Sequence, residues 1–372
     1  MVEVLLAGGG TAGHVNPLLA VADELRGRDP ETGITVLGTA SGLEARLVPE
    51  RGYRLTEIPR VPLPRRPSAD LFRLPGRLRA AVRAAGDAID ARGVQVVVGF
   101  GGYVSTPAYL AARRRGVPVV IHEQNARPGL ANRLGARWAH SVAVTFPGTP
   151  LRGARLTGLP LRPEIAALVA DLAADPRGVR AAAAGVLGLD PDLPTLLVTG
   201  ASSGALSLNR AVAGAAADLL GAGAQVLHLT GAGKADAVHA VVDDVPGADR
   251  YHVLEYLDTM QHGLAVADLA VCRAGAGTVV ELAAAGVPSV FVPLPVGNGE
   301  QRLNAAPVVA AGGGLLVADA DLDPAWLRAT VVPLLADRDR LSAMSAAART
   351  VGATDGAARV ADLVLDAAGE RR

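Results

Sequence analysis

The chain has one cysteine, Cys272, among its 372 residues. An internal disulfide and a cysteine-based metal cluster are thereby excluded, in keeping with a reducing cytoplasm, and Cys272 reads as a small buried apolar residue. Aromatics are only 3% of a sequence that is 50% apolar. The cores must therefore be built from Ala, Val and Leu, which suits parallel sheets covered by alanine-rich helices. An excess of one charge is also missing: 36 basic residues balance 36 acidic ones, which removes a global electrostatic argument for nucleic acid as a partner. Long apolar runs are absent too. The longest uncharged stretch, residues 93–112, is interrupted by Gln95, Gly99, Gly101, Gly102 and Pro107, so strand, turn and helix explain it better than a membrane span. The amino terminus, Met1-Val-Glu-Val, carries an acid where a signal peptide carries bases, and reads as a strand that starts at once.

The length exceeds the roughly 250 to 300 residues at which a single core stops growing, so two domains are expected. Short β-branched runs at residues 2–7, 34–37, 94–98, 117–121 and 141–144 alternate with helical patterns, which predicts βαβ units and a parallel sheet. Proline, glycine and arginine cluster at residues 146–163 and mark a linker. The pattern then restarts, with strands expected at 195–199, 225–229, 269–272, 289–292 and 314–317. The alanine-rich tail, residues 341–368, is expected to be helical with a break near Gly352 and Gly356.

The first strand runs into Gly8-Gly-Gly-Thr-Ala-Gly-His14, followed by a helical pattern. Glycines permit a tight turn and bring backbone N–H groups and a helix start close to an anion. Gly8, Gly10 and Gly13 have the spacing of a dinucleotide fingerprint, but the second strand ends in Gly38-Thr39-Ala40, without the carboxylate that would hold a ribose. The loop keeps its capacity for phosphate and presents His14 beside it. A helix amino terminus favours neutral imidazole, which can act as a general base; a capping or hydrogen-bonding histidine is the alternative.

Two further features lie at expected strand ends of this half. Residues 99–105, Gly-Phe-Gly-Gly-Tyr-Val-Ser, form a second backbone-lined turn, and His122-Glu-Gln-Asn125 forms a polar cluster that is either a site or a structural network. In the second half, Thr199-Gly-Ala-Ser-Ser-Gly204 suits a diphosphate. Cys272-Arg-Ala-Gly-Ala-Gly-Thr-Val-Val-Glu281 reads as strand, glycine loop and helix start, where Glu281 either accepts ribose hydroxyls or completes a capping box with Thr278. Asn298, Glu300 and Gln301 follow on a loop as readers of sugar hydroxyls. Gly231-Ala-Gly-Lys234 fails as a phosphate-binding P-loop, because His228 and Ala235 occupy positions that need glycine and a hydroxyl.

Taken in order, these motifs, with the Gly158-Leu-Pro-Leu-Arg162 stretch, resemble over nearly the whole chain the MurG family of UDP-N-acetylglucosamine–undecaprenyl-diphospho-muramoyl-pentapeptide N-acetylglucosaminyltransferases. The resemblance implies an α/β GT-B fold, in which two Rossmann-like domains with parallel sheets face each other across a cleft. It places an acceptor and membrane-facing domain at 1–160, a UDP-sugar domain at 161–345, and a helix at 346–372 that returns to the first domain. The implied reaction is inverting transfer of N-acetylglucosamine to the C4 hydroxyl of the lipid-linked muramoyl-pentapeptide. Neither cofactor nor metal is expected. By the family pattern Thr11, Ala12, Gly13, Asn125, Arg162, Ser202, Leu257, Ala276, Gly277, Thr278, Val279, Val280, Glu281 and Gln301 contact the donor; the place of His14 beside the phosphate loop makes it, on our own reading, the base that takes the acceptor proton. This chain departs from the pattern at Ala12, Leu159 and Glu300, and the last departure ranks Gln301 above Glu300 as the sugar reader.

A lipid acceptor requires the cytoplasmic face of the membrane. In residues 60–83, Arg65, Arg66, Arg73, Arg77, Arg79 and Arg83 interleave with Leu71, Phe72, Leu74, Leu78 and Val82; the segment is either a surface for anionic lipid or a helix packed on its own sheet. A UDP-N-acetylglucosamine 2-epimerase, a transferase acting on a soluble aglycone, and a non-catalytic sugar-nucleotide binder are the competing readings.

Overall fold

The computed structural model describes residues 2–61, 70–201 and 203–369. It divides into two compact units, Met1–Arg162 with Thr354–Arg372, and Pro163–Ala353. The boundaries expected from the sequence, 160/161 and 345/346, lie two and eight residues before these.

The first unit holds β1 (Glu3–Gly8), β2 (Gly33–Gly38), β3 (Arg54–Glu57), β4 (Val96–Gly101), β5 (Val119–Glu123), β6 (Ser141–Val144) and β7 (Ala154–Leu156). They form one sheet in the order β3-β2-β1-β4-β5-β6-β7, with every pairing parallel. Successive side chains of a strand point to opposite faces, and a parallel sheet is covered on both. Accordingly Val4 and Leu6 join a core with the helices Ala12–Arg28 and Gly356–Gly369, whereas Leu5 and Ala7 join a second core with the helices Asp70–Arg92 and Ser105–Arg115. The carboxyl-terminal helix buries Val360, Ala361, Val364 and Ala367 in the first of these cores, and Arg28 pairs with its Asp362 at 2.6 Å.

The second unit repeats the plan with β8 (Thr195–Thr199), β9 (Gln225–Leu229), β10 (Tyr251–Leu254), β11 (Leu269–Cys272), β12 (Ser289–Phe291) and β13 (Gly314–Leu316). Their order is β10-β9-β8-β11-β12-β13, again all parallel. Small apolar residues fill the core, among them Ala205, Ala211, Ala215 and Ala216 around Leu196 and Val198. The tail breaks as expected, into the helices Arg338–Arg349 and Gly356–Gly369.

Three strands have no counterpart in the sequence reading. β3, β7 and β10 are each the outermost strand of a sheet; β3 and β7 are largely exposed and carry Arg54, Glu57 and Arg155, so no apolar run announces them. β4 runs later than expected, through Gly101 in place of Val98. Gly99 thus belongs to the strand, where the Tyr109 ring fills the place of its side chain.

Candidate functional site

In each sheet the strand order reverses once, between β1 and β4 in the first unit and between β8 and β11 in the second. Loops that leave neighbouring strands at such a point diverge to opposite faces and open a crevice at the carboxyl edge, where open α/β sheets bind ligands. The glycine-rich motifs follow those four strands.

In the first unit the loops after β1 and β4 are pressed together. A Cβ on Gly102, at φ +77°, would stand 2.7 Å from the Gly9 carbonyl oxygen, so the backbones touch where side chains would ordinarily separate them. Ser105 Oγ donates to the Ala7 carbonyl at 2.9 Å and receives the Gly101 amide at 3.0 Å, locking the second loop to β1. Thr11 is the amino-terminal cap residue of the helix Ala12–Arg28 and makes no side-chain cap bond. Its hydroxyl instead meets Nδ1 of His14 at 3.1 Å. Burial lowers the pKa of His14 below the ordinary imidazole range, with the Gly9 carbonyl and the Glu44 carboxylate acting the other way. A Cβ on Gly101 would lie 3.2 Å from His14 Nε2, so glycine there keeps a side chain off that edge of the ring.

The absence of a ribose carboxylate has a structural explanation. An acid does follow β2, but Glu44 is fully buried and accepts from the Thr39 amide and hydroxyl and from the Gly10 amide, each at 3.0 Å. It is consumed within the protein and presents nothing to a sugar.

The cluster at residues 122–125 is mostly a structural network. His122, Glu123 and Gln124 are buried. His122 Nε2 donates to the Gly158 carbonyl at 3.0 Å while Nδ1 accepts from the Gln124 amide at 3.1 Å, and burial lowers its pKa to about 4. Glu123 accepts from the Asn125 and Gly129 amides and from Asn132. Its pKa is raised by burial despite these bonds and one from the Asn125 side chain. Half-buried Asn125 is the member of the cluster that reaches the rim. Arg162, also half-buried, closes the first unit.

In the second unit Ala201 is the one described residue other than glycine with positive φ, +60°, a strained conformation of the kind that collects at ligand sites. A Cβ on Gly204, also at positive φ, would run into the Thr230 carbonyl. Ser202 lies outside the described residues. Across the switch point Gly275, extended and without a side-chain cap, starts the helix Ala276–Ala285. The first-turn amides of Ala276, Gly277 and Thr278 therefore have no partner within the helix and make an anion-binding start. Thr278 is the third helical residue, which excludes a capping box with Glu281. Glu281 is half-buried, while Val279 and Val280 are in the interior. Leu257 packs beside Gly263 after β10.

Gln301, near the start of the helix Glu300–Ala311, accepts the amides of Ala274 and Leu294 on Oε1 at 3.1 and 2.9 Å. Two N–H donors require an oxygen, so the amide orientation is forced and Nε2 carries its donors away from them. One turn on, Asn304 donates to the Ala274 carbonyl at 3.2 Å. Arg273 is held by Asp319 at 2.6 Å and by Ser207 at 2.9 Å. Glu44, Asn304, Ser207 and Asp319 escaped the sequence reading. The three-residue spacing of Gln301 and Asn304 was the available signal for one of them.

Of the two readings of the basic and apolar segment, packing on the domain's own core holds for the described apolar side chains. Residues 62–69, with Arg65 and Arg66, and the side chains of Leu71, Phe72 and Arg73 lie outside the described residues. Val82 is buried, and Leu74 and Leu78 pack against the same core, so these three serve the domain interior. Arg79 and Arg83 are exposed. No helix among the described residues is long and apolar enough to cross a membrane.

The two α/β units, each with a switch-point site, match the two domain models of one glycosyltransferase family, which makes the chain a two-domain glycosyltransferase. The family 28 N-terminal domain matches residues 4–144 and the family 28 C-terminal domain matches residues 195–360. The chain is 58% identical over 372 residues, 100% of this chain and 98% of the relative, to the UDP-N-acetylglucosamine–N-acetylmuramyl-(pentapeptide) pyrophosphoryl-undecaprenol N-acetylglucosamine transferase of Clavibacter sepedonicus. It is 52% identical over 370 residues, 99% of both chains, to the protein of the same name in Streptomyces coelicolor. A crystal structure of MurG from Acinetobacter baumannii superposes with a TM-score of 0.79 at 30% identity, covering 98% of this chain and 100% of that one. The chain belongs to the MurG family. A UDP-N-acetylglucosamine 2-epimerase of Neisseria meningitidis shares the fold alone, with a TM-score of 0.72 at 13% identity over 98% of this chain and 100% of its own.

Proposed function

We infer that the protein transfers N-acetylglucosamine from UDP-N-acetylglucosamine to the C4 hydroxyl of undecaprenyl-diphospho-N-acetylmuramoyl-pentapeptide, with inversion, making the lipid-linked disaccharide precursor of peptidoglycan. The observation that carries this reading is full-length identity of 52 to 58% to transferases of that name. The geometry supplies the roles. His14 takes the C4 hydroxyl proton on Nε2, with Nδ1–H donated to Thr11. The freed oxygen bonds to the anomeric carbon from the face opposite the diphosphate, and the electron pair of the breaking carbon–oxygen bond leaves with UDP.

The departing charge is met in the second unit by amides of the loop after β8 and by the helix start at Ala276. Glu281 takes the ribose hydroxyls, and Gln301 offers Nε2 donors to acceptor atoms of the donor substrate. These groups stabilise a diphosphate without a metal, so activity is expected to persist in excess chelator.

The enzyme works on the cytoplasmic face of the membrane as a peripheral protein, with Arg79 and Arg83 among the groups that meet anionic headgroups. Co-sedimentation with anionic vesicles at low salt, lost at high salt, is the expected result. The deciding experiment incubates the protein with UDP-N-acetylglucosamine and a short-chain lipid-linked muramoyl-pentapeptide, followed by mass and linkage analysis. A β-1,4 disaccharide is expected; an epimerised sugar nucleotide formed without acceptor would sink the reading.

A further inference from the structure

Glu44 is a fully enclosed carboxylate beside the first loop that the transfer chemistry leaves unused. Its carboxylate joins three loops. Oε2 accepts the Gly10 amide from the loop after β1, and Oε1 accepts the amide and hydroxyl of Thr39 from the loop after β2. The Thr39 hydroxyl, having donated to Glu44, accepts from the Tyr103 hydroxyl at 3.4 Å, which brings in the loop after β4. The surrounding backbone leaves no slack: a Cβ on Gly9 would stand 2.7 Å from Glu44 Oε1, and side chains on Gly38 or Gly42 would also collide with Glu44.

We propose that Glu44 is a positioning residue for the transfer, whose buried carboxylate fixes the turn that carries His14 and, through its negative field, strengthens His14 as a base. The inference rests on the reading of His14 as the base. Charge-assisted bonds to backbone amides are stronger than neutral ones, so the turn keeps one shape without a side chain of its own to order it. The field reaches the imidazole as well, because Glu44 is the charged group that favours its protonated form. Other neighbours contribute dipoles or sit further off. They are the Thr11 hydroxyl, the Gly9 carbonyl, the Asn132 amide beyond Gly101, Glu123 behind Asn132, and Arg60 over the Tyr103 ring.

The test separates charge from shape. Glu44→Gln removes the charge and keeps one oxygen, which serves the Gly10 amide only by turning the NH2 group towards Thr39, so its pH profile, and not its kcat, is the reading that counts. Its acid limb in kcat/KM is expected to move to lower pH, because the protonated imidazole loses its counter-charge, while KM for UDP-N-acetylglucosamine stays near wild type. Glu44→Asp keeps the charge and withdraws it from Gly10; kcat is expected to fall by up to about 100-fold, the scale of an ångström-sized misplacement, with the acid limb near its wild-type position. An unmoved acid limb in a folded Glu44→Gln protein overturns the electrostatic role. Wild-type kcat in Glu44→Asp overturns the positioning role, and remains decisive if Glu44→Gln does not fold. His14→Ala is run alongside: if it retains the chemical step, the base assignment has failed and this inference falls for that separate reason.

Discussion

His14 illustrates how a residue acquires a function from its surroundings. Burial lowers its pKa, and the base must be neutral to accept a proton. The rate of the chemical step is therefore expected to rise with pH through a limb lying below the ordinary histidine range, and to be flat at neutral pH. His14→Ala should cost about 10²- to 10⁴-fold in single-turnover rate, the usual contribution of a general base, with saturating acceptor. Gln301 permits a comparably narrow test. Gln301→Glu keeps oxygens for the amides of Ala274 and Leu294 and replaces the Nε2 donors by an acceptor. KM for UDP-N-acetylglucosamine should rise about tenfold or more, the effect of losing a hydrogen bond of roughly 1.5 kcal/mol, while the melting temperature holds. An unchanged KM would confine Gln301 to bracing its loop.

At the scale of elements, the sites come from strand ends brought together by sheet order. β1 and β4 are neighbours only because the chain crosses back after β3, which juxtaposes residues far apart in the chain, as the Ser105 bond to Ala7, across 98 residues, records. Gly102→Ala tests that junction. Its φ of +77° and the nearby Gly9 carbonyl both oppose a Cβ, so a loss of about 1 to 3 kcal/mol in stability is expected in denaturant titration, with a larger fall in kcat. The four loops were legible as glycine-rich runs after β-branched ones, since that pattern is local. The edge strands β3 and β7 were not, because polar exposed strands lack it. The stripe at Leu74, Leu78 and Val82 left two readings open for a related reason: periodicity marks an apolar face without saying what covers it, and here the domain's own core does.

At the scale of the whole molecule, each unit carries a buried neutral histidine, His122 in the first and His228 in the second, with pKa values lowered by burial from 6.5 to about 4. The unfolded chain binds protons at these positions at higher pH than the folded chain does. Stability contributed by the neutral forms is complete above the unfolded value and declines as pH falls from about 6.5 towards about 4. Thermal melts over that window should shift downward, and replacing either histidine by a neutral isostere such as glutamine should flatten part of the dependence. The carboxyl-terminal helix ties the first unit together, since its Val360 and Val364 lie in the same core as the helix after β1.

The sequence by itself determined the two α/β halves, the places where backbone approaches ligand, and the family, because periodicity, glycine runs and motif order are all properties of neighbouring residues. The tertiary structure decided which polar groups are spent inside the protein and which remain for chemistry. Glu44 meets Gly10 across 34 residues, His122 meets Gly158 across 36, and Asn304 meets Ala274 across 30. A buried donor or acceptor must find a partner wherever the fold supplies one, and such pairings have no period along the chain from which they can be read.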